Sequence, residues 1–287
     1  MPNLRDIRRR IRSVQNTQQI TKAMKMVAAA KLRRSQENMI AARPYATKML
    51  EVLNSMATRV DQTLHPLLHV RPEKTVRVVV VTADRGLCGA FNTNILRFAT
   101  TFLRELEAKG ASVTLELAGR KGVEFFKRRP WGIEDRWTGL FSRLRYEDAD
   151  RIAATLIQAY TEEKCDAVYL VYNQFKSVIA QQVVAERLLP IGELENTEGL
   201  AAADYLYEPT QQELFETLLP KHVTFQVFRG LLESCAAEHA ARMTAMEGAT
   251  NNAKDMIERL TLFANRVRQA AITKEIIEVV SGAQALG

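Results

Sequence analysis

The chain has 287 residues, 47% hydrophobic and 25% charged, and no run reaches the roughly 18 uncharged apolar residues that a membrane span needs. These values exclude a disordered, collagen-like, disulfide-stapled or membrane-spanning chain, and the length suits one or two domains. Forty Lys+Arg against 33 Asp+Glu give a net charge of +7, unevenly placed: residues 1–35 carry +9 and the remainder −2. A basic N-terminal end points to an anionic partner, whether nucleic acid, anionic lipid or an acidic protein surface.

Residues 3–43 contain neither proline nor glycine. Alternate steps of three and four from Leu4 pass through Ile7, Ile11, Val14, Gln18, Thr21, Lys25, Ala28, Leu32, Ser35 and Met39. The pattern predicts a helix of roughly 60 Å with a coiled-coil seam that is polar in its middle. Pro44 is expected to open a second helical stretch, from Tyr45 to about Val60, and His65-Pro66 and Arg71-Pro72 mark a loop. The middle alternates strand and helix: a strand over Val76–Ala83, a helix over Ile95–Ala108 and a strand over Val113–Ala118. A turn at Gly119–Gly122, a helix over Asp150–Glu162 and a strand over Ala167–Tyr172 follow. That order predicts a mainly parallel sheet covered by helices. Val178–Leu189 reads equally as strand or short helix.

No proline follows Pro220. A second seam runs Phe228, Leu232, Cys235, His239, Arg242, Met246, Ala249, Ala253, Met256, Leu260, Phe263, Val267, Ala270, Lys274, Ile277, and twelve of these fifteen are apolar, enough for a coiled-coil strand. From residue 221 to 281 this helix spans about 90 Å. Neither striped helix is stable alone in water, so the two are expected to pack on each other, antiparallel around the intervening domain. The fold class is therefore α/β plus a long antiparallel coiled coil. If both helices start level, the first is matched by about residue 262 of the second. Roughly 20–25 residues then project alone, with Ile272, Ile276, Ile277, Val279, Val280 and Leu286 apolar on all sides.

Chemistry is harder to find. Asp84–Asn92 follows the first strand, where α/β proteins bind ligands, and is the leading candidate for an active site. Its glycines, Gly86 and Gly89, are spaced GxxG rather than as a dinucleotide fingerprint or P-loop, so a tight turn accounts for them. Cys88 reads as a buried thiol more readily than as a nucleophile, since no histidine lies near it. His65 and His69 have i,i+4 spacing, but Pro66 breaks the helix and no third ligand completes a metal site. Glu162-Glu163 reads as a solvated helix end. Catalytic, cofactor and metal residues are all expected to be absent. Cys88, Cys165 and Cys235 form no CxxC and suggest a reducing compartment. Nine of the ten basic residues in 1–35 fall off the seam, Lys25 being the exception. Residues 1–44 contain no aromatic for stacking on single strands, so an acidic protein surface suits this face better than nucleic acid. An Arg-rich N-terminus also fits a mitochondrial leader, but the helical pattern runs past residue 40 without a place to cut it, and no apolar core makes a secretory signal.

Four segments strongly resemble the gamma subunit of the rotary ATP synthase: Ser13–Gln36, Asp84–Gly89 (DRGLCG), Tyr205–Pro209 (YLYEP) and Ile272–Ala285. The last fits that family's pattern through Ile272, Thr273, Glu275, Glu278, Gly282 and Ala283, and Ala241–Met243 and Ala249–Asn252 are also similar. The likeness covers the whole chain in order and is weakest over 123–148 and 190–204. It implies a non-catalytic rotor. Residues 1–60 and 209–287 would form the shaft inside three alpha and three beta subunits, and 74–208 a foot that grips the c ring with the epsilon subunit. It further implies a peripheral protein on the cytoplasmic face of a bacterial inner membrane, with no cofactor, nucleic acid or second copy of itself. Plastid members carry an added cysteine pair that this chain lacks, and no cleavable leader precedes the family's usual start. Two other readings compete: an α/β nucleotide-binding enzyme using Asp84–Asn92, and a basic coiled-coil nucleic-acid binder.

Overall fold

The computed structural model describes residues 3–57, 65–192 and 210–286. The chain divides into two compact units, residues 1–28 with 242–287, and residues 29–241. Two long helices, α1 (Leu4–Ala57) and α5 (Gln211–Leu286), contribute to both.

The larger unit is built on a five-stranded sheet. Its strands are β1 (Thr75–Val81), β2 (Ser112–Ala118), β3 (Gly132–Trp137), β4 (Ala167–Phe175) and β5 (Gln181–Leu189), in the order β3-β2-β1-β4-β5. All neighbouring pairs are parallel except β4 with β5. The valine run of β1 is central and buried on both sides, as an almost unbroken β-branched strand should be. Val76, Val78 and Val80 face α2 (Phe91–Ala108), whose Ile95, Ala99, Leu103 and Leu106 recur at helical spacing on one buried face. Val79 and Val81 belong to the opposite core, with Ile152 and Leu156 of α4 (Tyr146–Thr161), Met49, Leu53 and Met56 of α1, and Phe215, Leu219 and Val223 of α5.

Several expectations are corrected. Pro44 does not begin a new helix; it lies inside α1, and residues 58–60 of the expected stretch fall outside the described residues. An interior proline costs about 3 kcal/mol, whereas burying Met49, Leu53 and Met56 returns about 1.5–3 kcal/mol each. The same balance carries α5 through Pro220, ten residues before the expected start, with Phe215 and Leu219 fully buried upstream. The turn at Gly119 leads into a short helix, α3 (Arg120–Phe126), and then into the charged edge strand β3. Val178–Leu189 resolves as a hairpin tip followed by β5.

The smaller unit pairs the start of α1 with the end of α5. Thr21 Oγ1 lies 2.8 Å from Thr250 Oγ1, and Lys25 Nζ 2.5 Å from Glu247 Oε1. The facing residue numbers total 271 or 272, so the pairing is antiparallel, as expected. Carried outward, that register sets Gln18, Val14, Ile11, Ile7 and Leu4 opposite Ala253, Ile257, Leu260, Ala264 and Val267. Those five positions of α5 are the ones buried or half-buried between residues 252 and 268. The first seam is thus confirmed, polar residues included. The second is corrected at Met256 and Phe263, which lie 53% and 43% exposed while Ile257 and Ala264 take the inner positions. Steps of three-then-four and four-then-three share every seventh residue, and two large apolar side chains favoured the wrong one.

Candidate functional site

At the sheet's C-terminal edge, order β3-β2-β1-β4-β5 puts the topological switch point between β1 and β4, where such folds bind ligands. The Asp84–Asn92 loop stands there. Asn92 and Asp84 are tied up by hydrogen bonds: Asn92 Oδ1 accepts from Ala83 N at 3.0 Å, and Asn92 Nδ2 lies 3.2 Å from Cys88 Sγ. Asp84 Oδ1 accepts from Arg120 N at 3.1 Å and Gly139 N at 3.0 Å, so the carboxylate ties three loops together. Leu87 and Gly89 take positive φ, 62° and 56°, which explains the second glycine. Cys88 is 1% exposed and packs with Ala83 and Phe91 against Ala237 of α5, with Phe175 and Ala241 alongside. The protein's own helix thus packs into the inner side of the crevice, with the small residues Ala237 and Ala241 against the loop, while Arg85–Leu87, Gly89 and Ala90 stay exposed.

The remaining candidates are structural. His65 Nδ1 accepts from Leu67 N at 3.2 Å, its ring meets Phe215 edge-on, and burial pushes its pKa down. The carbonyl of His69 accepts from Tyr160 OH at 2.6 Å. Among the described residues no group of His, Cys, Asp and Glu is placed to hold a metal. Glu162 is on the surface, held by Lys164 and Gln158. The three cysteines are buried, none in a disulfide.

The sequence reading missed two charge clusters, one buried and one half-buried. Arg77 donates to Glu116 at 3.1 Å beneath α4, where Trp137 Nε1 also donates to Glu116 at 3.2 Å. Burial dominates and raises the Glu116 pKa, against the lowering by its donors. Arg229 of α5 pairs with Glu186 of β5, which also accepts from Tyr172 OH at 3.0 Å. Glu116 is the one charge in the otherwise uncharged strand β2, a signal available beforehand, whereas Glu186 stands beside Arg187 in the polar-edged β5 and gave none.

What the chain does present is the helix pair. The nine off-seam basic residues of 1–35 are all exposed. Beyond Val267 every residue whose side chain is described is exposed, including Ile272 at 48%, Ile276 at 57%, Ile277 at 58%, Val279 at 71% and Val280 at 51%. The bare tip therefore begins at 268, some five residues later than level helices implied, and spans about 28 Å. Leu286 is helical, but its side chain lies outside the description. Such an exposed apolar surface marks a binding surface.

A family profile described as ATP synthase matches residues 3–286. The ATP synthase gamma chain of Chlorobaculum parvum is 51% identical, the alignment covering 100% of this chain and 99% of that one. The chain belongs to the ATP synthase gamma-chain family. Among solved structures, the central stalk and c-ring assembly of the Tetrahymena thermophila mitochondrial ATP synthase contains a chain 28% identical, with a TM-score of 0.59 over 80% of this chain and 99% of that one. A chain of the rotor of the Euglena gracilis mitochondrial ATP synthase shares the fold at 21% identity, with a TM-score of 0.62 over 94% and 98%. Placed on the gamma-chain fold, the motifs sort by location. Ser13–Gln36 lies along α1, Asp84–Gly89 in the crevice and Ala249–Asn252 opposite Thr21. Ile272–Ala285 is the bare tip, and Tyr205–Pro209 falls outside the described residues. Among the described residues no helix is long and apolar enough to cross a membrane.

Proposed function

We propose that this ATP synthase gamma chain is the rotor of the central stalk. In this reading the chain carries no bond chemistry. It links rotation of a membrane c ring to the nucleotide state of a head of three alpha and three beta subunits. Residues 1–60 and 209–287 serve as shaft and 74–208 as foot, where the epsilon subunit and the c ring attach. Coupling requires only that the asymmetric shaft contact each beta subunit differently, because a partner shifts a conformational equilibrium by its differential affinity for the two states. The chain acts as a peripheral component on the cytoplasmic face of a bacterial inner membrane.

The observation that carries the reading is the bare apolar tip at 268–286, paired with a fold whose own helix packs into the inner side of its crevice. An exposed apolar surface calls for a sleeve outside the chain, and packing of α5 against the Asp84–Asn92 loop gives that loop a structural part. The exposed basic face of α1 suits acidic loops that it meets and leaves repeatedly, since screened ion pairs are worth about 1 kcal/mol or less. Co-purification with native mass measurement tests the proposal. One chain per three alpha and three beta is expected, and ATP turnover by the isolated chain would sink it.

A further inference from the structure

The seam's polar middle coincides with a run of weak helix formers in α5. Residues 247–252 read Glu-Gly-Ala-Thr-Asn-Asn, in the interior of a 76-residue helix. Gly, Thr and Asn are among the poorer helix formers, Gly costing about as much as any residue short of proline. Packing does not require the glycine. A Cβ built on Gly248 meets nothing within 4 Å, whereas one on Gly230 of the same helix meets Leu170 Cδ2 at 2.5 Å. Gly230 is there for close approach to the sheet; Gly248 is not. Asn251 and Asn252 are exposed.

The facing layer is under-bonded. Thr21 Oγ1 donates to the Gln18 carbonyl at 3.0 Å and Thr250 Oγ1 to the Met246 carbonyl at 2.7 Å, yet the two hydroxyls also lie 2.8 Å apart. Two hydroxyl protons serve three contacts, so at any moment one contact is unmade. Back-bonding of this kind loosens and bends helices, and here both helices do it at the same level. Beside it opens a cavity of about 350 Å³ lined by Gln18, Lys22, Lys25, Glu247, Thr250 and Asn251, bridged by the half-exposed Lys25–Glu247 pair.

We infer that residues 247–252, with the Thr21 layer facing them, form a pliant joint at which the helix pair of the smaller unit flexes. Its use in turnover rests on the rotor reading; its existence does not. Amide exchange on the full chain tests the existence. Gly248→Ala with Asn252→Ala, both at exposed positions where a methyl fits, should slow exchange over 246–254 at least five-fold and leave α4 unchanged. Unaltered exchange over 246–254 overturns the joint. The assembled complex tests the use. The same pair of substitutions should lower ATP-driven turnover several-fold, while Asn265→Ala, an exposed change of the same kind on the same helix, should leave it unchanged. Equal turnover in the two variants overturns the use. A chain that joins no complex would refute the rotor reading and leave the exchange result standing.

Discussion

The bare tip gives the most direct quantitative test. Substituting Ile276→Asn and Ile277→Asn changes two side chains that are 57% and 58% exposed and belong to none of the buried core clusters. Exposed substitutions away from special features stay within about 0.5 kcal/mol, and Asn and Ile differ little in helix propensity. The isolated full-length variant should therefore keep the parent's helicity and urea midpoint. Inside an apolar sleeve the account differs. Full burial of an Ile is worth about 1.5–3 kcal/mol, and with somewhat more than half of each side chain left to bury, each has about 1 kcal/mol to gain. Losing both removes about 2 kcal/mol, a factor of about 30 in retention of the chain by the head, and buried amides add to the loss. The assay is dissociation of the chain from the purified complex on dilution, followed by native mass. Equal retention of variant and parent would show a solvated tip and refute the reasoning.

Neutralising Lys31, Arg33 and Arg34 together should leave the complex intact but lower the ratio of pumping to ATP hydrolysis in inverted vesicles at low ionic strength. Arg33 already pairs with Glu37 at 3.0 Å, so Lys31 and Arg34 should account for most of the effect; a ratio equal to the parent's would count against the basic face. Gly119→Ala should destabilise the full chain by about 4 kcal/mol or more, because φ is +100° and the new Cβ would lie 2.0 Å from the Thr82 carbonyl oxygen; a urea midpoint close to the parent's would show that the β2–α3 turn relaxes. Burial holds the pKa of His222 below its ordinary 6.5, with Gln226 Nε2 3.3 Å from its Nε2. The unfolded chain then binds the extra proton first, so stability should fall as pH drops from 6.5 toward the folded-state pKa. His222→Gln should flatten that decline between pH 7.5 and 5.5 in urea titrations, and an unchanged slope would assign it elsewhere.

Periodicity carried most of the fold because burial here follows simple repeats. Leu4 through Met39 could be read at single-residue precision, polar Thr21 and Lys25 included, since α1 keeps one phase throughout. Met256 and Phe263 misled because each is a large apolar residue directly before the true seam position, Ile257 or Ala264. Arg120–Phe126 and Gly132–Trp137 escaped because both are short and highly charged, and Gly122 looks like a turn residue. In fact Gly122 is helical and sits against Thr82, where a Cβ would fall 3.0 Å from the hydroxyl oxygen. Nor was the packing of α5 into the crevice legible: Ala237 and Ala241 look like ordinary seam neighbours until the sheet is placed beside them. The resemblance supplied what pattern could not, since no arrangement of side chains within one chain specifies a rotor.

The antiparallel register has a practical consequence for labelling. With Thr21 beside Thr250, Leu4 is level with Val267, so the first turn of α1 lies where the helix pair ends and the single helix begins. A tag or fluorophore fused to the N-terminus would emerge at the mouth of any sleeve that encloses residues 268–286, and compete with it for space. The hairpin between β4 and β5 offers a better site for a probe. Its turn is braced by Ser177 and Ala180, and Ile179 is 90% exposed, so a bead or dye attached there would leave the ends of both long helices unmodified.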